Sequence, residues 1–470
     1  MSAPHQTTAA PQDVVEHALR TSSADGCVVI VVERRESNLR WAANSLTTNG
    51  QMASRAVTVI SVRSGADGTR AGVVTRSAAT LDDVTALVRD SEKAADQSDP
   101  ADDATDLVEP YPHTDDWGAA AADSTVEVFS RFAPDLGSAF QRVAARDELL
   151  YGFAEHIVET SFLGTSTGLR RRWVQPTGRL EVNAKSADLS RSAWHGVPTR
   201  DFTDVDVLAV ADILSQRLDW ARNRIELPAG RYETLLPPSA VADLMLDLYL
   251  RSTAREAEEG RSVWSDAQAD GGTRIGQKLS PLPVRLWSDP AADGVRCAPF
   301  SVVETSFMGL MSIFDNGAPC EATDWIADGA LHDLLRNRAW ARKTDQPPCQ
   351  LIDNLLLDAG GTKTLDEMIA GTERGLLLTC LWYIREVDPQ TALLTGLTRD
   401  GVYLIENGAV QGAVTNFRFN ESPVGMLARI LEAGRSDRTL PREWNDYFTR
   451  AVMPPLRIRD FNMSTVSDAS

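Results

Sequence analysis

Gly375-Leu376-Leu377-Leu378-Thr379-Cys380-Leu381-Trp382-Tyr383-Ile384 is the densest structural signal in the chain. It is an apolar run of strand length, bounded by Gly375 and by the polar pair Arg385-Glu386, and it predicts a strand buried on both faces. Asp388-Pro389 follows as a turn, because proline fixes φ and removes a donor. Ala392 to Thr398 predicts a second strand, Arg399-Asp400-Gly401 a turn, and Val402 to Ile405 a third strand. Asn407-Gly408 is a strong hairpin signal, after which Ala409 to Phe419 returns as a fourth strand. The segments together predict a meander of antiparallel strands with a buried central member. Such a sheet needs a partner layer from the rest of the chain.

Outward from this stretch, Thr364-Leu365-Asp366-Glu367 is a capping box opening a short helix. Ser422-Pro423 predicts a helix with Val424, Leu427, Ile430 and Leu431 on one face, ended by Gly434; residues after Met463 read as a frayed tail. Upstream, Glu233 to Leu236 predicts a strand, and Ser239 the N-cap of a helix stopped near Gly260. Val284 to Trp287, Ser306 to Phe314 and Pro319 to Ile326 predict strands, and Leu331 to Ala341 a helix.

The N-terminal half has its own strands and helices. Val14, Val15, Ala18 and Leu19 share a helix face, and Cys27 to Val32 is a buried strand with Leu39 to Asn44 and Val57 to Arg63 as neighbours. Gly65-Ala66-Asp67-Gly68 is a hairpin loop, and Thr80 opens a helix with Asp82 and Asp83 in its first turn. Asp96 to Asp116 is acidic, contains proline and lacks Lys and Arg, the composition of a solvated linker. Helical pattern resumes near Asp123 to Ser130 and Asp135 to Asp147. Strands follow at Ile157 to Leu163, Leu169 to Val174 and Leu180 to Ala187, and Thr203 caps a last helix. The pattern predicts an α+β protein of two domains, residues 1–225 and 226–470, each with a mixed or antiparallel sheet flanked by helices.

Bulk properties narrow the function. A hydrophobic content of 43% with 24% charged residues is that of a soluble globular chain, and no apolar run is long enough to span a membrane. A net charge of −19 repels phosphate backbones and argues against nucleic acid. The polar first twelve residues show no secretory signal. Cys27, Cys297, Cys320, Cys349 and Cys380 write no CxxC pair, and such scattered thiols suit a reducing cytoplasm.

Asp388-Pro389-x-Thr391 followed by Gly401-x-Tyr403-Leu404-Ile405-Glu406-Asn407-Gly408 resembles the C-terminal signature of the TldD/TldE (PmbA) family. The likeness extends to Phe314-Asp315-Asn316-Gly317-Ala318-Pro319 and Leu227-Pro228-Ala229-Gly230-Arg231-Tyr232, with fainter matches before residue 200. In the TldD branch the resemblance implies a zinc metallopeptidase. Its metal is held by an HExxxH motif on the first helix of the C-terminal domain, with help from a Cys. In this chain that helix holds Ser239, Asp243, Asp247 and Tyr249, but no His. The six histidines are His5, His17, His113, His156, His195 and His332, and no two are four or five apart. Asp243 and Asp247 share a helix face, but two carboxylates alone make a weak hard-cation site and read as a solvated face. Cys320 and Cys380 read as core thiols.

The chain therefore resembles the TldE branch, which lacks the metal motif. The resemblance implies a non-catalytic, metal-free subunit of a zinc protease complex that processes small or unfolded peptides, with zinc in a TldD-like partner. On this reading Asp315, Asn316 and Gly317 are candidates to line the substrate chamber. Two alternatives remain. A homodimeric scaffold would bind peptides without cutting them. A serine hydrolase would use Ser166 in Gly164-Thr165-Ser166-Thr167-Gly168, with His195 or His332 as base. That motif needs a helix after the serine, whereas Leu169 to Val174 predicts a strand ending at Pro176, with Gly164 to Gly168 as a hairpin turn. Arg170-Arg171-Arg172 is the only compact basic run, and it reads as a solvated strand or a clamp on the chain's own acids.

Overall fold

The computed structural model describes residues 9–467 except Ala79, 113–115, Met308 and Asp400; His5 and His113 lie outside the described residues, as does Asp400 of the turn at 399–401. Helices α1 (Pro11–Thr21) and α2 (Leu81–Gln97) and strands β1 (Gly26–Ala42), β2 (Ser45–Gly65) and β3 (Gly68–Arg76) open the chain. Helix α3 (Phe132–Ala144), strands β4 (Glu148–Thr165), β5 (Arg170–Ser186) and β6 (Ser192–Thr199), and helix α4 (Val207–Trp220) complete the N-terminal unit. Its antiparallel sheet runs β3-β2-β1-β4-β5-β6. Alternation along β1 and β4 turns Val29, Val31 and Phe162 toward α1 and α2, while Leu39, Trp41, Leu150 and Leu180 pack with α3 and α4. The other face carries Val28, Ile30 and Leu163, which pack with Phe300, Val303, Ile313 and Phe314 from the second half.

The C-terminal half starts with β7 (Arg224–Ile225), β8 (Gly230–Leu236) and helix α5 (Pro238–Leu250). Its larger sheet has ten strands. Along its main path the order is Leu381–Asp388, Leu393–Thr398, Phe417–Glu421, Leu456–Val466, β8, Arg374–Leu378, Val402–Glu406, Ala409–Val414 and β7. Two residues, Thr379-Cys380, separate Arg374–Leu378 from Leu381–Asp388, yet these strands are first and sixth in that order, so the sheet curls back on itself. Asn407 and Gly408 both have positive φ, 52° and 77°, which closes the tight hairpin read from the sequence. A six-stranded sheet forms the other layer, and α5 lies in the apolar core between the two.

The central stretch is thus two hairpins rather than a simple meander. The apolar run breaks at Thr379-Cys380, and the predicted fourth strand breaks after Val414, so the second half of each interrupted run joins another part of the sheet. Other boundaries move for local reasons. Leu39 to Ala42 belongs to β1 itself, and the two strands expected at 169–174 and 180–187 are one strand, β5 (Arg170–Ser186). Pro176 is tolerated there because β6 pairs only with Gly178 to Lys185, leaving Pro176 on an edge. Asp206, not Thr203, caps α4, accepting the Ala209 N–H at 2.9 Å. Ser239 lies inside α5, which ends at Leu250 before a separate short helix, Ala254–Glu258. In place of the strand expected at 306–314, the described residues hold a turn before Met311 and a short 3-10 helix, Ile313–Asp315, and the helix predicted at 331–341 is confined to Arg338–Thr344. The helix after Ser422 ends at Leu427, and the expected tail after Met463 is strand as far as Val466.

The acidic segment after α2 is not solvated along its length. Val108 and Thr105 are buried, and the Tyr111 hydroxyl donates to Gly317 O at 2.9 Å. Asp102 pairs with Arg255 at 2.8 Å and Asp106 with Arg342 at 2.9 Å, while Ser306 Oγ donates to Asp103 at 2.7 Å. The segment is a strap tying the two halves together, and its acids face bases far away in sequence.

Candidate functional site

Helix α5 occupies the position at which the family resemblance places a metal. Its side chains from Ala240 to Tyr249 are all buried, so the helix has no solvated face. Asp243 is fully buried, and its oxygens accept the N–H groups of Glu443 at 2.8 Å and Arg442 at 3.1 Å. Burial is the main cause pushing its carboxyl up to about 8, against the opposing pull of those N–H donors. Asp247 pairs with Arg251 at 2.7 Å, and Arg251 reaches Glu386 at 2.8 Å. The two carboxylates are therefore structural partners of backbone amides and of an arginine. Two carboxylates already bonded in this way do not make a zinc site, whose tetrahedral set draws on imidazole or thiolate donors alongside any carboxylate. Among the described residues, no group of three or more His, Cys, Asp or Glu is placed to hold a metal ion.

The remaining candidates are also engaged. Ser166 lies in the turn between β4 and β5, where its N–H donates to Cys27 O at 2.8 Å and its Oγ accepts from Cys27 N at 3.0 Å. A strand rather than a helix follows, so the nucleophile-elbow geometry is not formed. His332 is exposed, and His195 lies on β6, where burial pushes its imidazole down to about 3. Asp315 and Asn316 are buried. Asn316 bonds the backbone of Val303 at 2.7 and 2.8 Å, and Asp315 accepts from Arg338 N at 3.2 Å. Gly317 has φ 83°, and a Cβ there would lie 2.6 Å from the Leu169 side chain. This loop is a keystone between the two halves. The five cysteines are buried, and burial pushes the thiols of Cys27 and Cys320 up to about 11 and of Cys297 and Cys349 up to about 12. Arg170 pairs with Glu16 at 2.6 Å and the Arg171 guanidinium lies 4.1 Å from the Tyr111 ring centre, so the basic run clamps the chain itself.

The open chemistry lies elsewhere, in a cleft of about 490 Å³ between the halves. One wall is the outer edge of β5, Trp173 to Thr177, together with residues from Pro198 to Asp204; the other is Gly294 to Arg296 with Arg438, Thr449 and Arg450. Residues 442–450 lace this region together, a role no local motif signals. Arg442 bonds Glu181 at 3.1 Å, its guanidinium 3.8 Å from the Trp382 ring centre and 5.0 Å from that of Trp194. Asn445 bonds Glu181 at 3.0 Å, and Arg179 bonds Asp446 at 2.5 Å. Along the same sheet face Glu159 is half-buried, and burial raises its carboxyl above the ordinary range.

This is an α+β fold of several sheets, with a cleft between the two halves of the chain and a buried helix, α5, in the core of the second half. The profile describing the PmbA/TldA metallopeptidase C-terminal domain matches residues 229–465, and the chain belongs to that TldD/TldE (PmbA) family. No curated protein matches it. Among solved structures, TldE from Thermococcus kodakarensis is similar with a TM-score of 0.77 and 15% identity, over 97% of this chain and 99% of that one. A proposed modulator of a DNA gyrase from Thermotoga maritima gives a TM-score of 0.72 and 16% identity, over 93% and 95% of the two chains. Another, from Bacteroides thetaiotaomicron, gives 0.75 and 13%, over 97% and 98%. At these identities the likeness establishes the fold.

Proposed function

We propose that this chain is a non-catalytic, metal-free subunit of a heteromeric zinc peptidase acting on small or unfolded peptides. It shapes the substrate chamber and stabilises a TldD-like partner that carries the zinc. The observation that carries this reading is the commitment of Asp243 and Asp247 to structural bonds on α5, where a catalytic relative needs its metal ligands. Family membership supports the peptidase context, and the interdomain cleft supplies a place for a peptide. The net charge of −19 argues against nucleic acid as the partner. No helix among the described residues is long and apolar enough to cross a membrane. Buried free thiols suit a reducing compartment, and we assign the complex to the cytoplasm.

Native mass spectrometry of the protein captured from its own cells tests this directly. The expected species is a complex with a second, different chain, carrying about one zinc per pair. A metal-free homo-oligomer would overturn the heteromeric assignment in favour of a peptide-binding scaffold. Zinc retained by the isolated chain would overturn the metal-free assignment.

A further inference from the structure

We infer that the interdomain cleft binds the C-terminal carboxylate of an extended peptide, held by Arg200 and Arg296. This inference rests on the peptide-chamber reading and names the ligand group that the chamber selects.

Charge is the first support. The cleft is lined by Arg200, Arg296, Arg438 and Arg450 against Asp201 and Asp204, a basic site on a chain of net charge −19. Arg438 is paired with Asp204, and Arg450 with Asp353 and, at 3.0 Å, with the Thr177 hydroxyl. Among the described residues, the guanidiniums of Arg200 and Arg296 have no ion pair or hydrogen bond. They stand on opposite walls, one from each half of the molecule, and both are exposed. Guanidinium is the side chain best matched to a carboxylate, because its fork of N–H donors fits two oxygens.

Rigidity is the second. The Arg200 carbonyl is fixed by His156 Nε2 at 3.0 Å, whose Nδ1 is held by Ser124 at 2.7 Å. Beyond it, Thr199 Oγ1 donates to Asp204 at 2.5 Å and accepts from Phe202 N at 3.0 Å, closing the loop. Arg296 sits between buried Val295 and Cys297, with Val295 O accepting from Asn354 at 2.9 Å and the Arg296 carbonyl accepting from Gln175 at 3.2 Å. Both backbones are held in place, which lowers their share of the ordering cost of binding, and both side chains are left available to a ligand.

The third support is the wall between them. Among the described residues no strand pairs with β5 on its outer side before Gly178, so Trp173 to Thr177 present a sheet edge to the cleft, on which Pro176 offers no N–H and its carbonyl accepts from Gln175 Nε2 at 3.3 Å. An extended peptide can add to such an edge through its backbone, while Trp173, Val174 and Pro198 offer apolar surface to its side chains.

The test is calorimetric titration of the full chain with pentaalanine as the free acid and as the C-terminal amide. The free acid is expected to bind at least tenfold more tightly. The double substitution Arg200→Gln with Arg296→Gln should remove that preference, bringing the free acid down to the affinity of the amide, and Arg296→Lys should restore part of it. Equal affinity for acid and amide overturns the carboxylate assignment and leaves the peptide reading standing. No binding of either peptide overturns the peptide reading itself. Arginine-dependent binding of acetate, without binding of the peptide acid, would make the site one for free small anions and likewise overturn the proposal.

Discussion

Helix α5 and the exposed arginines of the cleft between the two halves hold their charge in opposite ways. On α5 both aspartates are buried, and both are bonded, Asp243 to two backbone amides and Asp247 to Arg251. In the cleft, Arg200 and Arg296 stand exposed on rigid backbone. Burying an ionisable group without partners is costly, so a carboxyl inside a core is bonded or neutral. An exposed guanidinium at the mouth of a cleft keeps its hydration and can exchange it for a ligand. Saturation of polar groups thus separates framework from binding surface, and this separation can be broken by experiment.

The largest effect is expected on α5. Asp243→Ala leaves the amides of Arg442 and Glu443 without their acceptor and opens a void in the core. A loss of about 3 kcal/mol in urea unfolding is expected. A loss below about 0.5 kcal/mol would show that Asp243 is not framework, and would reopen α5 as a site. The same residue predicts a pH dependence. Its carboxyl ionises near 3.8 when unfolded and only near about 8 in the fold, so between these values the folded chain keeps a proton that the unfolded chain has released. Its stabilising contribution is complete below pH 4 or so and is lost as pH rises through about 8. Unfolding free energies measured from pH 5 to 8.5 should decline for the natural chain and flatten for Asp243→Ala.

The reason Asp243 and Asp247 read as a solvated face is instructive. Carboxylates spaced four apart usually lie on one exposed stripe. The opposing signal was present in the same residues, since Ala240 to Leu250 holds no other charge and a helix apolar all round is a buried one. The α+β class, α1, the N-terminal hairpin and the Asn407-Gly408 turn were legible because each is set by local periodicity or by a backbone requirement. The curling of the ten-stranded sheet was not, because its corners at Thr379-Cys380 and Thr415-Asn416 carry no Gly or Pro. The cleft was illegible for a simpler reason: Arg200 and Arg296 come from different halves, and nothing local marks either.

A smaller effect is expected at the acidic strap, which joins those halves. Asp102 and Asp106 are largely exposed although paired, so solvent screening limits each pair to a few tenths of a kcal/mol. Replacing Asp102, Asp103 and Asp106 together with Ala should cost about 1 kcal/mol in low salt and much less in 1 M salt, read by thermal unfolding. Equal losses at both ionic strengths would assign the strap's contribution to Val108 and Tyr111, its apolar and hydroxyl contacts with its surroundings.

The smallest expected effect concerns Ser166, and it tests the rule at an exposed position. The hydroxyl accepts from Cys27 N at 3.0 Å, and the Ser166 amide donates back to Cys27 O at 2.8 Å, so the residue closes the end of β1 against the β4–β5 turn. Ser166→Ala removes one of these two bonds in a place where water can replace it, at a cost of about 0.5 kcal/mol. Hydrolysis of a small activated ester by the purified chain should be the same with and without the hydroxyl. A serine nucleophile requires a base within hydrogen-bond reach, and the bonds that hold Ser166 here run to the backbone of Cys27. Loss of ester hydrolysis with stability intact would mean that a hydroxyl engaged with backbone had nonetheless been free to react. In that event bonded groups could not be set aside as framework, and Asp243 and Asp247 would have to be examined again as chemistry.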